Sequence, residues 1–259
     1  MPDKRNALVN TALLGLLVLA TIISLATGTV QVSLFDTLRA LAGNADPITD
    51  FVINELRLSR VIAGLLSGAA LAMAGCLMQT LARNRLATPG IIGIDNAATA
   101  FAVASVVGVG LSLAPSAMAL AGAAAATAIA FGLAGANGTR GYRFIVAGIG
   151  IGAIAGAVTQ VMLSRVAIDA ANAAYPWTVG SLNARSGQSV LVLGMGLAAG
   201  YLILMSLSRA LNTLQFTDAV AIALGTRLKA TRIIGLGLSV MLTGLAVSVC
   251  GPVGLIALL

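Results

Sequence analysis

Charge is the scarcest thing in this 259-residue chain: only 9% of its residues are Asp, Glu, Lys or Arg, against about a quarter in soluble domains. That shortage excludes an ordinary water-soluble domain. Histidine is absent altogether, which removes histidine-based metal sites, haem ligation and the usual catalytic triads. Aromatics make up 4%, and the basic residues stand singly or in pairs between apolar runs. A nucleic-acid surface would need a basic stripe with aromatics interleaved, so the net charge of +7 does not point to a nucleic-acid partner. No Gly-x-x-x-x-Gly-Lys-Ser/Thr motif occurs, so the chain does not hydrolyse ATP by the P-loop route. Metal-ligand clusters and paired carboxylates are also missing, and neither a metal, a cofactor nor enzyme chemistry is expected. The two cysteines, Cys76 and Cys250, fall in separate apolar runs near opposite membrane faces, beyond disulfide reach. They read as small packing residues.

What is present is apolar length. Hydrophobic residues make up 59% of the chain and its mean hydropathy is +1.02. Seven apolar runs predict helices near 8–28, 58–81, 91–111, 115–135, 143–166, 189–207 and 232–251, most of them near the roughly 20 residues that cross a bilayer. Pro115 supplies the break between the third and fourth. The expected fold is therefore all-α and polytopic. The first run could be a signal peptide with a weak cleavage site at Ser24-Leu25-Ala26, but its apolar part, about 7–26, is too long for one. A retained first span is expected. The 30 glycines fit helices that approach closely where the hydrophobic effect no longer drives association.

Charge placement orients the helices. With the N-terminus in the cytoplasm, ten basic residues fall inside: Lys4, Arg5, Arg83, Arg85, Arg140, Arg143, Arg209, Arg227, Lys229 and Arg232. Five fall outside: Arg39, Arg57, Arg60, Arg165 and Arg185. The acids reverse this, with Asp3 and Asp218 inside and Asp36, Asp46, Asp50, Glu55 and Asp169 outside. The positive-inside rule favours this orientation.

Several motifs punctuate the spans. Arg57 and Arg60 stand three apart, one helical face, at the outer mouth of the second span. They suit bidentate capture of carboxylates or simple snorkelling at the interface. Gly64, Gly68, Ala72 and Cys76 recur every four residues in the second span, and Gly148, Gly152 and Gly156 do so in the fifth. Both rows predict close helix packing. The loop Arg83-Asn84-Arg85-Leu86-Ala87-Thr88-Pro89-Gly90 carries helix breakers. Asp95, beside Asn96 at the start of the third span, is an intramembrane acid. It suits a coupling ion, a helix cap or a contact with the preceding basic loop. The lone Trp177 suits an interfacial anchor. Residues 208–231 are less apolar and long enough for two short helices, with Gly225 able to end one.

The stretch LRLSRVIAGLLSGAALAMAGCLMQTLARNRLATPGIIG, Leu56 to Gly93, resembles the first motif of the iron-siderophore and cobalamin class of ABC-transporter permeases. Ser59 and Arg85 stand where that class has proline. The resemblance extends to Tyr175–Leu182, to the 208–231 segment and to Gly251-Pro252-Val253-Gly254-Leu255-Ile256-Ala257-Leu258.

That resemblance implies one permease domain over 1–259, with about seven of about ten family helices present and the C-terminal portion incomplete. Arg57 and Arg60 would dock a periplasmic or lipid-anchored substrate-binding protein. Leu211, Asn212, Leu214, Asp218, Ala221, Leu224 and Gly225 would form the coupling segment that meets a separate ABC ATPase. The fifth span would line the path through Gly148, Gly152, Gly156, Thr159 and Gln160. Residues 175–182 would lie near an outer gate. A second permease copy or paralogue would complete the pathway in a bacterial cytoplasmic (inner) membrane, and membrane lipid would surround it. The cargo would be a ferric siderophore or related iron chelate. The rival class is an ion-coupled secondary transporter, for which Asp95 is the available acid. An intramembrane enzyme lacks plausible chemistry here.

Overall fold

A computed structural model describes residues 4–28, 30–109, 113–134, 142–183 and 186–258. Asp3, Arg140 and Arg185, all used in the charge asymmetry, lie outside the described residues. The chain divides into two compact units, one of residues 1–64 with 183–185 and one of 65–182 with 186–259.

The first unit holds α1 (Lys4–Ala26), α2 (Leu34–Leu41), α3 (Pro47–Asp50) and the start of α4 (Leu58–Ala82). Ser33 caps α2: its Oγ accepts from the Asp36 N–H at 3.1 Å and donates to Asp36 Oδ2 at 2.7 Å. Asp46 caps α3 by accepting from the Thr49 N–H at 3.0 Å, with Pro47 in the first turn, where its missing N–H costs nothing. Between α3 and α4, residues Phe51–Arg57 form a π-helical stretch, so that the Leu58 N–H reaches back to Ile53 O. Helix therefore starts well before the predicted 58. The continuous run Pro47–Ala82 has 36 residues, about 54 Å at 1.5 Å per residue, longer than a hydrocarbon core of about 30 Å.

The second unit holds the rest of α4, a 3-10 turn Pro89–Ile92, α5 (Ile94–Val106), α6 (Pro115–Ala134), α7 (Tyr142–Arg165), α8 (Ile168–Ala174), α9 (Pro176–Val179), α10 (Gly187–Thr213), α11 (Asp218–Ala223) and α12 (Leu228–Cys250). Among the described residues, six helices are long and apolar enough to cross a membrane, not the seven expected. The exception is α5. Its 13 residues reach about 20 Å, and α5 fills only part of the predicted 91–111 run because non-α backbone flanks it at Pro89–Ile92 and Val107–Val109. The shortening is tolerable because α5 packs against α6, α7 and α12. Irregular backbone survives at membrane depth when protein covers it.

The core of this unit is built from small residues. Ile94, Ala98, Ala102 and Val103 of α5 pack with Ala119 and Ala123 of α6 and with Val240 and Val247 of α12. A Cβ on Gly122 would stand 2.5 Å from Ala97 O, and one on Gly244 would stand 3.1 Å from the Ala123 Cβ. Such contacts need glycine on one side. In its most apolar window α12 is 78% buried and α1 only 6%, so α12 is a core helix and α1 presents most of its surface outward.

Two expectations about packing are corrected. On α4 the buried face runs through Ala63, Ser67, Ala70, Ala74 and Met78, whereas Ala72 and Cys76 are exposed. The Gly64–Cys76 row is therefore not the face that packs within the chain. The face is chosen by α12, whose buried Ser239 donates its hydroxyl to Ala74 O at 2.9 Å. Trp177 is not a surface anchor. It is 7% exposed and belongs to the buried cluster with Ala174 and Val247.

Candidate functional site

Arg83, Asp218 and Arg232 of the second unit converge at one end of it. Arg83 ends α4 with φ of 50°, a conformation rare outside glycine. That turn sends its guanidinium across to the segment after α10. Nε donates to Leu214 O at 2.8 Å, and Nη2 donates to Phe216 O at 2.5 Å and to Asp218 Oδ1 at 2.9 Å. Arg232, one turn into α12, donates from Nη2 to the same Asp218 oxygen at 2.8 Å. One carboxylate thus joins the end of α4, the start of α11 and the start of α12. The hydrogen bond from Arg232, followed by that from Arg83, holds the Asp218 carboxyl below the usual carboxylate range.

The residues 211–226 divide into a buried and a presented set. Leu211, Leu214 and Ala221 are buried and hold the segment down. Asn212 and Gly225 are exposed, as are Phe216, Val220, Ile222 and Leu224. Gly225, at φ of 80°, closes α11 through its N–H to Ile222 O at 2.9 Å. The hydroxyls of Thr213 and Thr226 meet at 2.7 Å, drawing the two ends of the segment together. The result is a short helix braced by two arginines, offering an apolar patch on its free side.

Around the start of α5 the predicted glycine row on α7 meets a partner. Gly93 has φ of 72°, and a Cβ there would stand 2.5 Å from Gly148 O and 2.6 Å from Gly152 N. Asn96 donates to Gly152 O at 3.1 Å. Gly148 and Gly152 therefore receive the turn into α5, with Gly156 at the margin, where an added Cβ would stand 4.0 Å from Asn96 Nδ2. Thr159 is buried and donates to Ala155 O of its own helix at 3.0 Å, whereas Gln160 is exposed. Asp95 is not the cap of α5, since Gly93 takes that position. It lies in the first turn, where the helix dipole favours an acid. Its Oδ1 is buried without a hydrogen-bond partner among the described residues, and Oδ2 stands 2.6 Å from where a Gly90 Cβ would be.

At the other end of this unit, two of the quoted motifs come together. The Ser181 N–H donates to Cys250 O at 2.7 Å. Gly180 (φ 81°) and Gly251 (φ 76°) face each other so closely that a Cβ on Gly251 would stand 2.9 Å from the Gly180 Cα. Beyond Gly251 the chain folds back along α4: Ala257 O accepts from Gln79 Nε2 at 3.4 Å and occupies the space a Gly75 Cβ would need.

In the first unit, Arg57 and Arg60 part company. Arg60 is exposed. Arg57 is half-buried and turned onto the C-terminal end of α1, where Nη1 donates to Leu25 O at 2.6 Å and Ala26 O at 3.0 Å, and Nη2 donates to Val30 O. The last carbonyls of a helix lack intrahelical donors, so Arg57 caps α1. Gly28 makes room for it, as a Cβ there would stand 2.6 Å from Arg57 Nη2.

Sequence reasoning missed the Asp218 junction, Arg232 and the α1 cap. One signal existed for the first: Asp218 is one of only two acids assigned to the basic-rich side, and a lone acid among cations invites pairing.

A profile of the FecCD transport family matches residues 16–259. The chain is 37% identical to the ferric enterobactin transport system permease protein FepD of Escherichia coli K12, over 98% of this chain and 77% of that one. It is 34% identical to the achromobactin transport system permease protein CbrC of Dickeya dadantii, over 94% of this chain and 71% of that one. The fold matches a solved metal-chelate type ABC transporter in an inward-facing conformation, with a TM-score of 0.80 at 23% identity, covering 96% of this chain and 76% of that one.

Proposed function

Because this chain belongs to the FecCD transport family, we propose that it is the membrane permease of an ABC importer that carries a ferric siderophore or related iron chelate into the cytoplasm. The relatives named above are permeases for ferric enterobactin and achromobactin. The chain itself is a multi-pass membrane protein whose described helices include six candidate spans. In this scheme it lies in the bacterial cytoplasmic membrane with its N-terminus inside, pairs with a second permease copy or paralogue, and makes no covalent change to the cargo.

The observation that carries the mechanism is the braced 211–226 segment. A partner that closes on ATP must pass force to the spans, and a rigid lever transmits force where a loose loop dissipates it. Asp218 ties α11 to both α4 and α12. An ATPase gripping Phe216, Val220, Ile222 and Leu224 would therefore move two helices at once. In this scheme the exposed Arg60 meets an acid of a soluble binding protein, and the close Gly180–Gly251 contact belongs to an outer gate. The test is disulfide cross-linking to the ATPase subunit, with Cys76 and Cys250 replaced by serine. Cysteines placed within 212–226 should cross-link and those within 167–182 should not. The reverse pattern would invert the topology and remove the assignment of both segments.

A further inference from the structure

We infer that α2 is an interfacial helix that seats the first unit in the phospholipid headgroup region beside the end of α1. The helix has three sides. Thr37 and Ala40 are fully buried against its own unit. Asn54 of the π-helical stretch donates to Ala40 O at 3.1 Å, which fixes the rotation of the helix. Leu34, Leu38 and Leu41 recur at the spacing of one helical face, and with Phe35 they are 43–64% exposed. Asp36 and Arg39 lie on the side away from that leucine row. The Arg39 guanidinium sits 4.5 Å above the Phe35 ring, so the aromatic and the cation stand side by side at the border between the apolar and polar faces.

The occupant follows from continuity. α2 packs directly on α1 and on the Phe51–Arg57 stretch, so it cannot leave the level at which α1 ends. The outward surface of α1 is apolar from Leu13 through Leu19 to Ile23, and Val30 continues it into the connection to α2. The leucine row of α2 extends the same surface. A row without charge, adjoining the apolar outward surface of a candidate span and bordered by Arg39, matches the pattern of an interfacial amphipathic helix. A phenylalanine with an arginine on its face suits the headgroup layer, where one side is apolar and the other wet. This inference depends on α1 crossing the bilayer and not on the cargo or the ATPase.

The test uses the whole chain in vesicles of phosphatidylcholine and phosphatidylglycerol. Leu34→Trp and Leu38→Trp report the leucine row, and Asn44→Trp, in the turn after α2, is the aqueous reference. The emission of the single native Trp177 is subtracted using the unsubstituted protein. The added emission at 34 and 38 should be blue-shifted and quenched by phospholipid with brominated acyl chains, and little affected by iodide. Position 44 should show the opposite. Leu41→Trp replaces Leu38→Trp if that variant does not accumulate. Quenching of 34 and 38 by iodide alone would place α2 in water and overturn the inference. Protection from both quenchers would show that protein covers the row, and would overturn it equally.

Discussion

Arg83 and Asp218 are separated by 135 positions in the chain and joined by a 2.9 Å hydrogen bond from Nη2 to Oδ1. Arg232 reaches the same oxygen at 2.8 Å, so the acid is shared. Loss of the carboxylate releases α11 from two helices together. Asp218→Ala should lower ATP-driven uptake steeply while leaving membrane insertion intact. Asp218→Asn, which keeps a neutral acceptor, should fall between that variant and the unsubstituted protein. Uptake in proteoliposomes containing the ATPase and binding protein measures this. Equal uptake by Asp218→Ala would show that the brace does not transmit force.

The same junction sets a pH dependence. Asp218 is held below the ordinary carboxylate range of about 3.9 by Arg232 first and then Arg83. A depressed carboxyl stabilises the fold above its unfolded pKa, and that contribution is lost as pH falls through the folded pKa. Protease protection of the 211–226 segment should therefore stay level from neutral pH down to about pH 5 and drop only below about pH 4. Asp218→Asn should remove that acid step. A step at pH 6–7 that persists in Asp218→Asn would assign it to another group.

Gly93 should be intolerant of any side chain. Alanine there meets Gly148 O at 2.5 Å in a backbone with φ of 72°. Positive φ alone costs a non-glycine residue about 1–3 kcal/mol, and the clash adds to it. Gly93→Ala should destabilise the protein by at least about 2 kcal/mol in detergent unfolding. Gly68→Ala is the contrast. Nothing lies within 4 Å of its Cβ position, and a helical Gly→Ala change is expected to be neutral or to stabilise by about 0.5–1 kcal/mol. Similar losses at both sites would sink the distinction.

Arg57 and Arg60 should separate experimentally. Arg57→Ala removes the donor to Leu25, Ala26 and Val30 carbonyls, and a hydrogen bond from a charged group contributes roughly 1.5–3 kcal/mol. Hydrogen exchange over residues 23–32 should accelerate. Gly28→Ala should act in the same direction by displacing the guanidinium. Arg60→Glu should leave that exchange unchanged and weaken association with the binding protein, most clearly at low salt. Acceleration by Arg60→Glu, or none by Arg57→Ala, would reverse the two roles.

Membrane class, the all-α fold and most span positions were legible because they depend on local composition. A run near 20 residues without charge has few options in water, and backbone polarity in lipid permits helix. The predicted 58–81 became α4 at Leu58–Ala82, and 232–251 became α12 at Leu228–Cys250. The 208–231 segment stood out for the complementary reason: its polarity breaks the apolar pattern.

Partner choice was decided by tertiary structure. Gly64, Gly68, Ala72 and Cys76 form as regular a row as Gly148, Gly152 and Gly156, yet Gly68 has open space beside it whereas Gly148 and Gly152 meet Gly93, which arrives from another element. The length of α5 depended on the helices that cover it, and Trp177 was buried where α9 packs on α5 rather than left at an interface. Arg57 and Arg60 are three apart in sequence, but the π-helical stretch ends between them, and the C-terminal carbonyls of α1 claim only the first. A sequence states which groups need partners. Which partner comes within about 3 Å is set by long-range packing, and neither spacing nor composition carries that distance.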